Sequence, residues 1–384
     1  MKTKVSIVKC EDYDEERVFN SVKKAIGDIG FSFEGIKKVL IKPNVLSQYG
    51  PETGITTHHA VVDAVCKILK EKGCEIIIGE SSGWYMDGGT KRALEISGMD
   101  VVAKKYNAKL LPFEEAEIKK INDTDAKVLK EINIAMPIFE ADLVINMPKL
   151  KTHELMRYTG GVKNLLGTLP GGLKQQCHLI AKDEDKFGNL LLDIYQHIKP
   201  GLTIMDGILG LEGEGPGSGG TPKKTGLLLA SKNAIALDIV AEQIIGFKPE
   251  EVATTKYAVE RGIFSSFDDV EIVGEFVKID YVKPTRAATK VPKFFHDLVF
   301  RNAMVYPFID VDKCKKCMIC VRVCPVKTIE VKGDGEDKVV FVKKKECIHC
   351  YCCHEMCPYK AIDLKSSWFI ELLRKARSKL KKSK

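Results

Sequence analysis

Two stretches in the last quarter of the chain repeat one cysteine pattern, and that pattern constrains the fold more than any other feature of the 384 residues. Cys314, Cys317, Cys320 and Cys324 precede Pro325, and Cys347, Cys350, Cys353 and Cys357 precede Pro358, so C-x2-C-x2-C-x3-C-P occurs twice, 33 residues apart. Nine of the 13 cysteines fall between Cys314 and Cys357. The start, MKTKVSIVKC, holds no apolar core of a signal peptide, so a cytoplasmic location is expected. In a reducing compartment such crowding points to metal rather than to disulfides. Three thiolates spaced by two residues can wrap one side of an iron–sulfide cube. A fourth beside a helix-blocking proline can cross over and tie the two halves together. Zinc sites of four cysteines are the alternative, and two interleaved runs argue against it. Cys352 is surplus and is expected as a buried thiol near a cluster.

The duplicated run is similar to that of bacterial ferredoxins, in which the fourth cysteine ligates the other cluster. The resemblance implies two 4Fe–4S clusters. Cys314, Cys317, Cys320 and Cys357 would hold one, and Cys347, Cys350, Cys353 and Cys324 the second. Two close one-electron carriers imply a relay, and hence a redox partner protein. A small α+β ferredoxin domain is expected over 306–366, with 306–312 leading into the first run and a short strand at 338–343 leading into the second.

The formal net charge of +8 suggests a nucleic-acid surface until it is located. Glu371 to Lys384 holds seven Lys or Arg against one Glu, so most of the excess lies in the tail and no nucleic-acid partner is expected. Phe369, Leu372, Leu373, Ala376 and Leu380 give this tail (367–384) an apolar stripe. It reads as a docked terminal helix or as a basic amphipathic contact with an anionic membrane surface. No apolar run reaches the roughly 18 residues of a membrane span.

Residues 1–285 read as one α/β domain, with apolar strands alternating with amphipathic helices. Strands are expected at 39–45, 75–79, 142–146, 202–205 and 226–230. Helices are expected at 58–72, 91–97, 190–198, 234–245 and 252–261. This order predicts a mainly parallel sheet covered by helices on both faces, with ligands beyond the carboxyl ends of the strands. The rule gathers Lys42, Asn44, Glu80, Ser81, Ser82, Lys149, Lys151, Thr152, His153 and Asp206. From Lys149 to Lys174 five basic residues face only Glu154, which suits a carboxylate or phosphate. A solvated basic loop is the plainer reading.

Several segments resemble the domain-of-unknown-function family 362: IKPN (41–44), GITTH (54–58), INMPKLKTH (145–153), TGGVKNLLG (159–167), DGI (206–208) and GEGPG (213–217). The likeness covers roughly residues 3 to 245, and members often carry a carboxyl-terminal ferredoxin module. It implies a fold and marks Lys149, His153, Lys163, Asn164 and Asp206, but it brings no assigned reaction.

Weaker signals remain. GPGSGG (215–220) matches G-x-G-x-x-G as a string, yet its prolines suit a helix start poorly, and 210–226 is expected to be a flexible or ligand-covering loop. His58 and His59 sit at a helix start as capping or surface residues. Val291, Phe294, Phe295, Leu298 and Val299 give a connector helix over 286–305. A metal site from His153, His178 and Asp206 is conceivable, without spacing to support it.

Two functions fit. In the first, an iron–sulfur oxidoreductase binds a small anionic substrate. Lys42, Asn44, Lys151 and Asn164 would line the site, Lys149, Lys163 and Arg157 would hold the anion, and His153 or His178 would move a proton, with Lys163 and Asp206 also among the catalytic residues. In the second, the chain is an electron carrier or a cluster or metal assembly factor that recognises a client protein without turnover of its own.

Overall fold

The structure is a computed structural model that describes residues 2–285, 306–333, 338–343 and 346–365. The connector helix expected at 286–305 and the basic tail expected at 367–384 lie outside the described residues.

The strands of the first part are β1 (Thr3–Lys9), β2 (Lys38–Pro43), β3 (Glu75–Glu80), β4 (Lys109–Pro112), β5 (Ile118–Asn122), β6 (Glu131–Ala135), β7 (Leu143–Met147), β8 (Lys149–His153), β9 (Arg157–Thr159), β10 (Leu202–Gly213), β11 (Gly220–Ser231) and β12 (Val270–Gly274). The main sheet runs β12-β1-β11-β10-β7-β2-β3-β4. From β10 to β4 every pair is parallel. β11 runs antiparallel to both of its neighbours, β1 and β10. β5 and β6 form a separate hairpin. The protein is therefore α/β, with a mainly parallel mixed sheet.

Both faces of the sheet are covered, which explains why its central strands read as unbroken apolar runs. Successive residues alternate between two cores. Val39, Ile41, Ile76, Ile78, Leu143 and Ile145 face one, against helices α1 (Glu15–Asp28), α2 (His59–Glu71), α3 (Gly89–Ile96) and α4 (Met99–Lys105). Leu40, Ile77, Val144, Leu227 and Leu229 face the other, where α8 (Glu184–Ile198), α9 (Ala234–Ile244) and α10 (Ala253–Glu260) pack. Three short helices lie between these groups in the chain: α5 (Pro137–Glu140), α6 (Gly161–Asn164) and α7 (Leu173–Ile180).

Helix α2 begins one residue later than its apolar pattern suggests. His58 caps it, its Nδ1 accepting from the Ala60 N–H, while the Thr57 hydroxyl donates to the Met147 carbonyl at 2.7 Å. The segment 210–226 is not a loop over most of its length. β10 and β11 pair from Thr203–Ser231 to Gly213–Gly220, so only 214–219 turns at the tip. That tip reaches the ferredoxin part: Ser218 Oγ donates to the Cys357 carbonyl at 2.8 Å.

The ferredoxin part has strands β13 (Tyr306–Ile309), β14 (Ile329–Lys332), β15 (Val339–Val342) and β16 (Ile362–Lys365), paired β13–β16 and β14–β15. Its helices are α11 (Ile319–Val323) and α12 (Cys352–Glu355). The internal repeat extends to the backbone. Lys316, Met318 and Lys327 have positive φ, and so do His349, Tyr351 and Lys360, each 33 residues on. Non-glycine residues rarely take this conformation. Here it bends the loops tightly enough that backbone N–H groups meet sulfur: Thr328 donates to Cys324 Sγ and Ala361 to Cys357 Sγ, both at 3.3 Å.

Candidate functional site

The carboxyl ends of β2 and β3, Lys151 of β8, the segment 159–178 and helix α12 border a cleft of about 750 Å³, its open mouth included. It lies between the two parts of the chain. Lys42, Asn44, Glu80, Lys151, Lys163, Asn164, Lys174 and His178 come from the α/β domain, and Val323, Cys352, Glu355 and Met356 from the ferredoxin domain.

Its floor is a buried polar network. Lys42 Nζ donates to Glu80 Oε2 at 2.7 Å and to Asn164 Oδ1 at 3.2 Å. Val45 and Ser81 give backbone N–H bonds to the same carboxylate. Burial draws Lys42 below the ordinary lysine range and pushes Glu80 up, and their contact opposes both shifts. Gly167 is required beside the pair, because a Cβ there would lie 2.1 Å from Glu80 Oε1 and 2.8 Å from Lys42 Nζ. Asn164 is the hub. It also accepts from Asn44 Nδ2 at 3.1 Å and donates to Asn146 Oδ1 at 2.8 Å. Helix α6, which carries Asn164, is held at its start by Asp238, whose carboxylate accepts from the N–H groups of Gly161 and Val162.

Above this floor stand cations with incomplete compensation. Lys151 Nζ donates only to neutral acceptors, Asn44 Oδ1 at 2.6 Å and the Ile55 carbonyl at 2.9 Å. Burial and then the charges of Lys163 and Lys149 draw it well below the ordinary range. Lys163 makes no hydrogen bond or ion pair among the described residues, and burial lowers it too. Lys174 donates to Ser81 Oγ and to the Leu169 carbonyl, and burial brings it to about 8. Bound negative charge would favour the protonated form of all three.

Of the two candidate histidines, one reaches the cleft. His178 lines it, stacked on Phe187, and burial lowers it to about 3, so it is neutral at pH 7. His153 is fully buried beside it. His153 Nδ1 accepts from the N–H groups of Leu155 and Met156, and its Nε2 lies 3.7 Å from Glu355 Oε1. Burial and then the neighbouring Lys163 charge hold it well below the ordinary histidine range.

Three residues that the sequence places in the site belong elsewhere. Lys149 and Asp206 form a fully buried ion pair at 2.7 Å, and Tyr13 bonds to both. Asp206 also accepts from the His58 N–H, so this pair ties β8 and β10 to the start of α2. Arg157 is engaged with Glu184 at 2.9 Å. None of the three lines the cleft. Among the described residues no three His, Cys, Asp or Glu side chains converge on a single ion-sized position, so His153, His178 and Asp206 do not assemble a mononuclear site.

The cysteines border two further cavities. Cys314, Cys317, Cys320 and Cys357 line one of about 340 Å³. Cys324, Cys347, Cys350 and Cys353 line the other, of about 310 Å³. Four thiols around a cavity, rather than four converging on a point, suit a cubane and not a single zinc ion. Burial raises Cys320, and the nearby thiols of Cys317, Cys357 and Cys314 add to it, as the crossed set requires. Cys352 is buried, lines the interdomain cleft and has its thiol in hydrogen-bonding contact with that of Cys350.

Glu355, Met356 and Gln175 are cleft residues that sequence reasoning missed. Glu355 was legible in one respect: 33 residues earlier the repeat carries Arg322, so the two halves differ in charge there.

Comparison with known proteins agrees with this division. The family model described as "Domain of unknown function (DUF362)" matches residues 39–243, and a 4Fe-4S dicluster domain matches 313–361. The C-terminal domain is thus an iron–sulfur-binding, electron-transfer module of the ferredoxin type. The chain is 31% identical over 258 residues to a thylakoid-associated protein of Synechocystis sp., across 66% of this chain and 78% of that one. A solved structure of the lactate racemase apoprotein from Thermoanaerobacterium thermosaccharolyticum superposes with a TM-score of 0.39 at 16% identity, over 54% of this chain and about half (51%) of that one. Among the described residues no helix is long and apolar enough to cross a membrane. Since the family model spans more than half of its length, the chain belongs to the DUF362 family, here joined to a 4Fe-4S dicluster domain.

Proposed function

We propose that this protein is an iron–sulfur oxidoreductase that holds a small organic anion in the interdomain cleft and exchanges electrons with a partner protein. One observation carries the reading. Helix α12 supplies Cys353 to a cysteine-lined cavity while Cys352 and Glu355 of the same helix, with Met356 after it, wall the cleft that Lys151 and Lys163 line. A substrate there would sit one helix away from the second cysteine set. In this reading Cys314, Cys317, Cys320 and Cys357 hold one 4Fe-4S cluster, and Cys347, Cys350, Cys353 and Cys324 hold another. When bound, such clusters supply one-electron transfer.

The side chains of the chain have separate tasks. Lys163 and Lys151 hold the anion, and Lys174 adds positive charge at the rim. Lys42, Asn44 and Asn164 keep the floor rigid. His178, neutral at pH 7, can accept a proton at Nδ1, to which no described residue hydrogen-bonds. His153 stands behind Glu355, with Nε2 3.7 Å from Oε1. The closed wall of Val323 and Met356 against Trp84 limits water on that side.

The test is anaerobic. Protein made without oxygen should contain about eight iron and eight sulfide per chain. Oxidised protein should lose its visible absorbance on adding an anion that it oxidises, and reduced protein should regain it on adding one that it reduces. Lys163→Ala should abolish that response while the iron content stays unchanged. A response that survives Lys163→Ala would refute the site. Chemically reducible clusters that respond to no small molecule would favour the carrier or assembly role instead.

A further inference from the structure

The groups that border the cleft without a partner are of two opposite kinds. Gln175 Nε2 and Lys163 Nζ are donors, and neither has an acceptor among the described residues. Glu355 Oε1 is an acceptor that no donor reaches, since His153 Nε2 stops at 3.7 Å. His178 Nδ1 is also without a partner. Glu355 and His178 are 6% and 7% exposed, so bulk water does not satisfy them freely. Lys163 and Glu355 influence each other electrostatically, yet they form no ion pair across the cleft. The space between them is bounded by a cation on one side and a carboxylate on the other.

A plain anion answers only half of this arrangement. Phosphate or an unsubstituted carboxylate would satisfy Lys163 and Gln175, but it would leave Glu355 Oε1 facing negative charge with no donor. A buried acceptor left unpaired costs roughly one to two factors of ten in affinity. A molecule that also carries a hydroxyl or ammonium group near its acid group would satisfy both walls at once.

We propose that the cleft binds a small carboxylic acid bearing a hydrogen-bond donor, with its acid oxygens toward Lys163 and Gln175 and its hydroxyl or ammonium toward Glu355 Oε1. This rests on the anion-binding reading above and narrows it. The donor group, rather than the acid, is the part held against the helix that carries Cys353.

The experiment is anaerobic calorimetry on the full, cluster-loaded chain at pH 7, with two matched sets of acids. One set is succinate, malate and aspartate; the other is glutarate, 2-hydroxyglutarate and glutamate. Inorganic phosphate is the fourth ligand in each series of runs. In at least one set the hydroxy or amino acid should bind tenfold or more tightly than its unsubstituted parent and than phosphate. Glu355→Met should erase that ratio without weakening the parent acid, and Lys163→Met should weaken every acid. Equal affinities within both sets would overturn the proposal and leave the anion site standing. If no acid and no phosphate binds, the anion reading beneath it fails as well. Should Glu355→Met lose its iron, the ratios in the unaltered protein still decide.

Discussion

Replacing Glu80 with Gln isolates the energetics of the cleft floor. The native contact joins Lys42 Nζ and Glu80 Oε2 at 2.7 Å with both side chains out of solvent. At an effective dielectric of about 20, that distance corresponds to a gross attraction of about 6 kcal/mol. Much of this is offset by the loss of hydration, so the pair is not a net stabiliser of that size. Removing one partner is another matter, because it leaves the other charge buried and unpaired, at a cost of about 3–5 kcal/mol. Lys42 has one escape, which is to lose its proton. For an ordinary lysine that costs about 4.6 kcal/mol at pH 7. The two bounds agree, and the second falls by about 1.4 kcal/mol for each unit of pH. Glu80→Gln should therefore destabilise the α/β domain by about 3–5 kcal/mol at pH 7 and by less than about 2 at pH 9.5. For a domain of this size, thermal unfolding by circular dichroism should fall by at least about 6 °C at pH 7. The double change Lys42→Met, Glu80→Leu should recover most of the loss, since no charge remains to be buried. A loss below about 1 kcal/mol, or one that does not shrink with pH, would refute the argument.

Three further outcomes follow from the same geometry. His178 has a folded value near 3 against an ordinary 6.5, so its contribution is complete above pH 6.5 and is lost as pH falls toward 3; about 2 kcal/mol should vanish between pH 8 and 5, and His178→Asn should remove that part of the slope in acid-titrated unfolding. Lys174, near 8 in the folded protein, should make anion affinity fall as pH rises through 8, and Lys174→Gln should flatten that limb in calorimetry. At the interface a Cβ on Gly217 would meet the Glu355 carbonyl oxygen at 2.5 Å and its Cα at 2.8 Å, with backbone on both sides. Gly217→Ala should thus loosen the docking of α12, seen as faster amide exchange there with iron content unchanged.

The regular parts of this fold were legible because their signals are local. Strands buried on both faces read as apolar runs, and α2 showed its stripe. The missed elements depend on partners distant in sequence. β1 is short and alternating, and it becomes a strand because β11 and β12 flank it. β10 and β11 extend well past their apolar residues because each supplies the ladder bonds of the other. The site was legible at the same level. The strand-end rule placed Lys42, Asn44 and Lys151 at one edge of the sheet. It could not separate cations that face a ligand from those that face a carboxylate. Lys149 and Lys151 are two residues apart and point the same way, yet Asp206 meets the first and only neutral oxygens meet the second.

The ferredoxin repeat carries the remaining information about direction. A symmetric pair of clusters gives no reason for electrons to prefer one end. This repeat is symmetric in its cysteines and in its positive-φ positions, and it departs from symmetry on the outward side of its two helices. Where α12 has Cys352, Glu355 and Met356, α11 has Ile319, Arg322 and Val323. Arg322 turns to Asp87 at 2.9 Å and lies over the Trp84 ring, gripping the α/β domain at its surface. Glu355 turns instead into the cleft. The first half thus grips the α/β domain through Arg322, and the second half supplies Cys352, Glu355 and Met356 to the cleft. Cys314 and Cys317 lie among exposed Lys313 and Lys315. Under the function proposed above, the order would be partner, first cysteine set, second cysteine set, cleft. Charge changes at Lys313 and Lys315 should then alter the rate of exchange with a partner and its salt dependence, and leave substrate affinity unchanged. The reverse pattern, with affinity altered and partner exchange intact, would mean that the order is inverted.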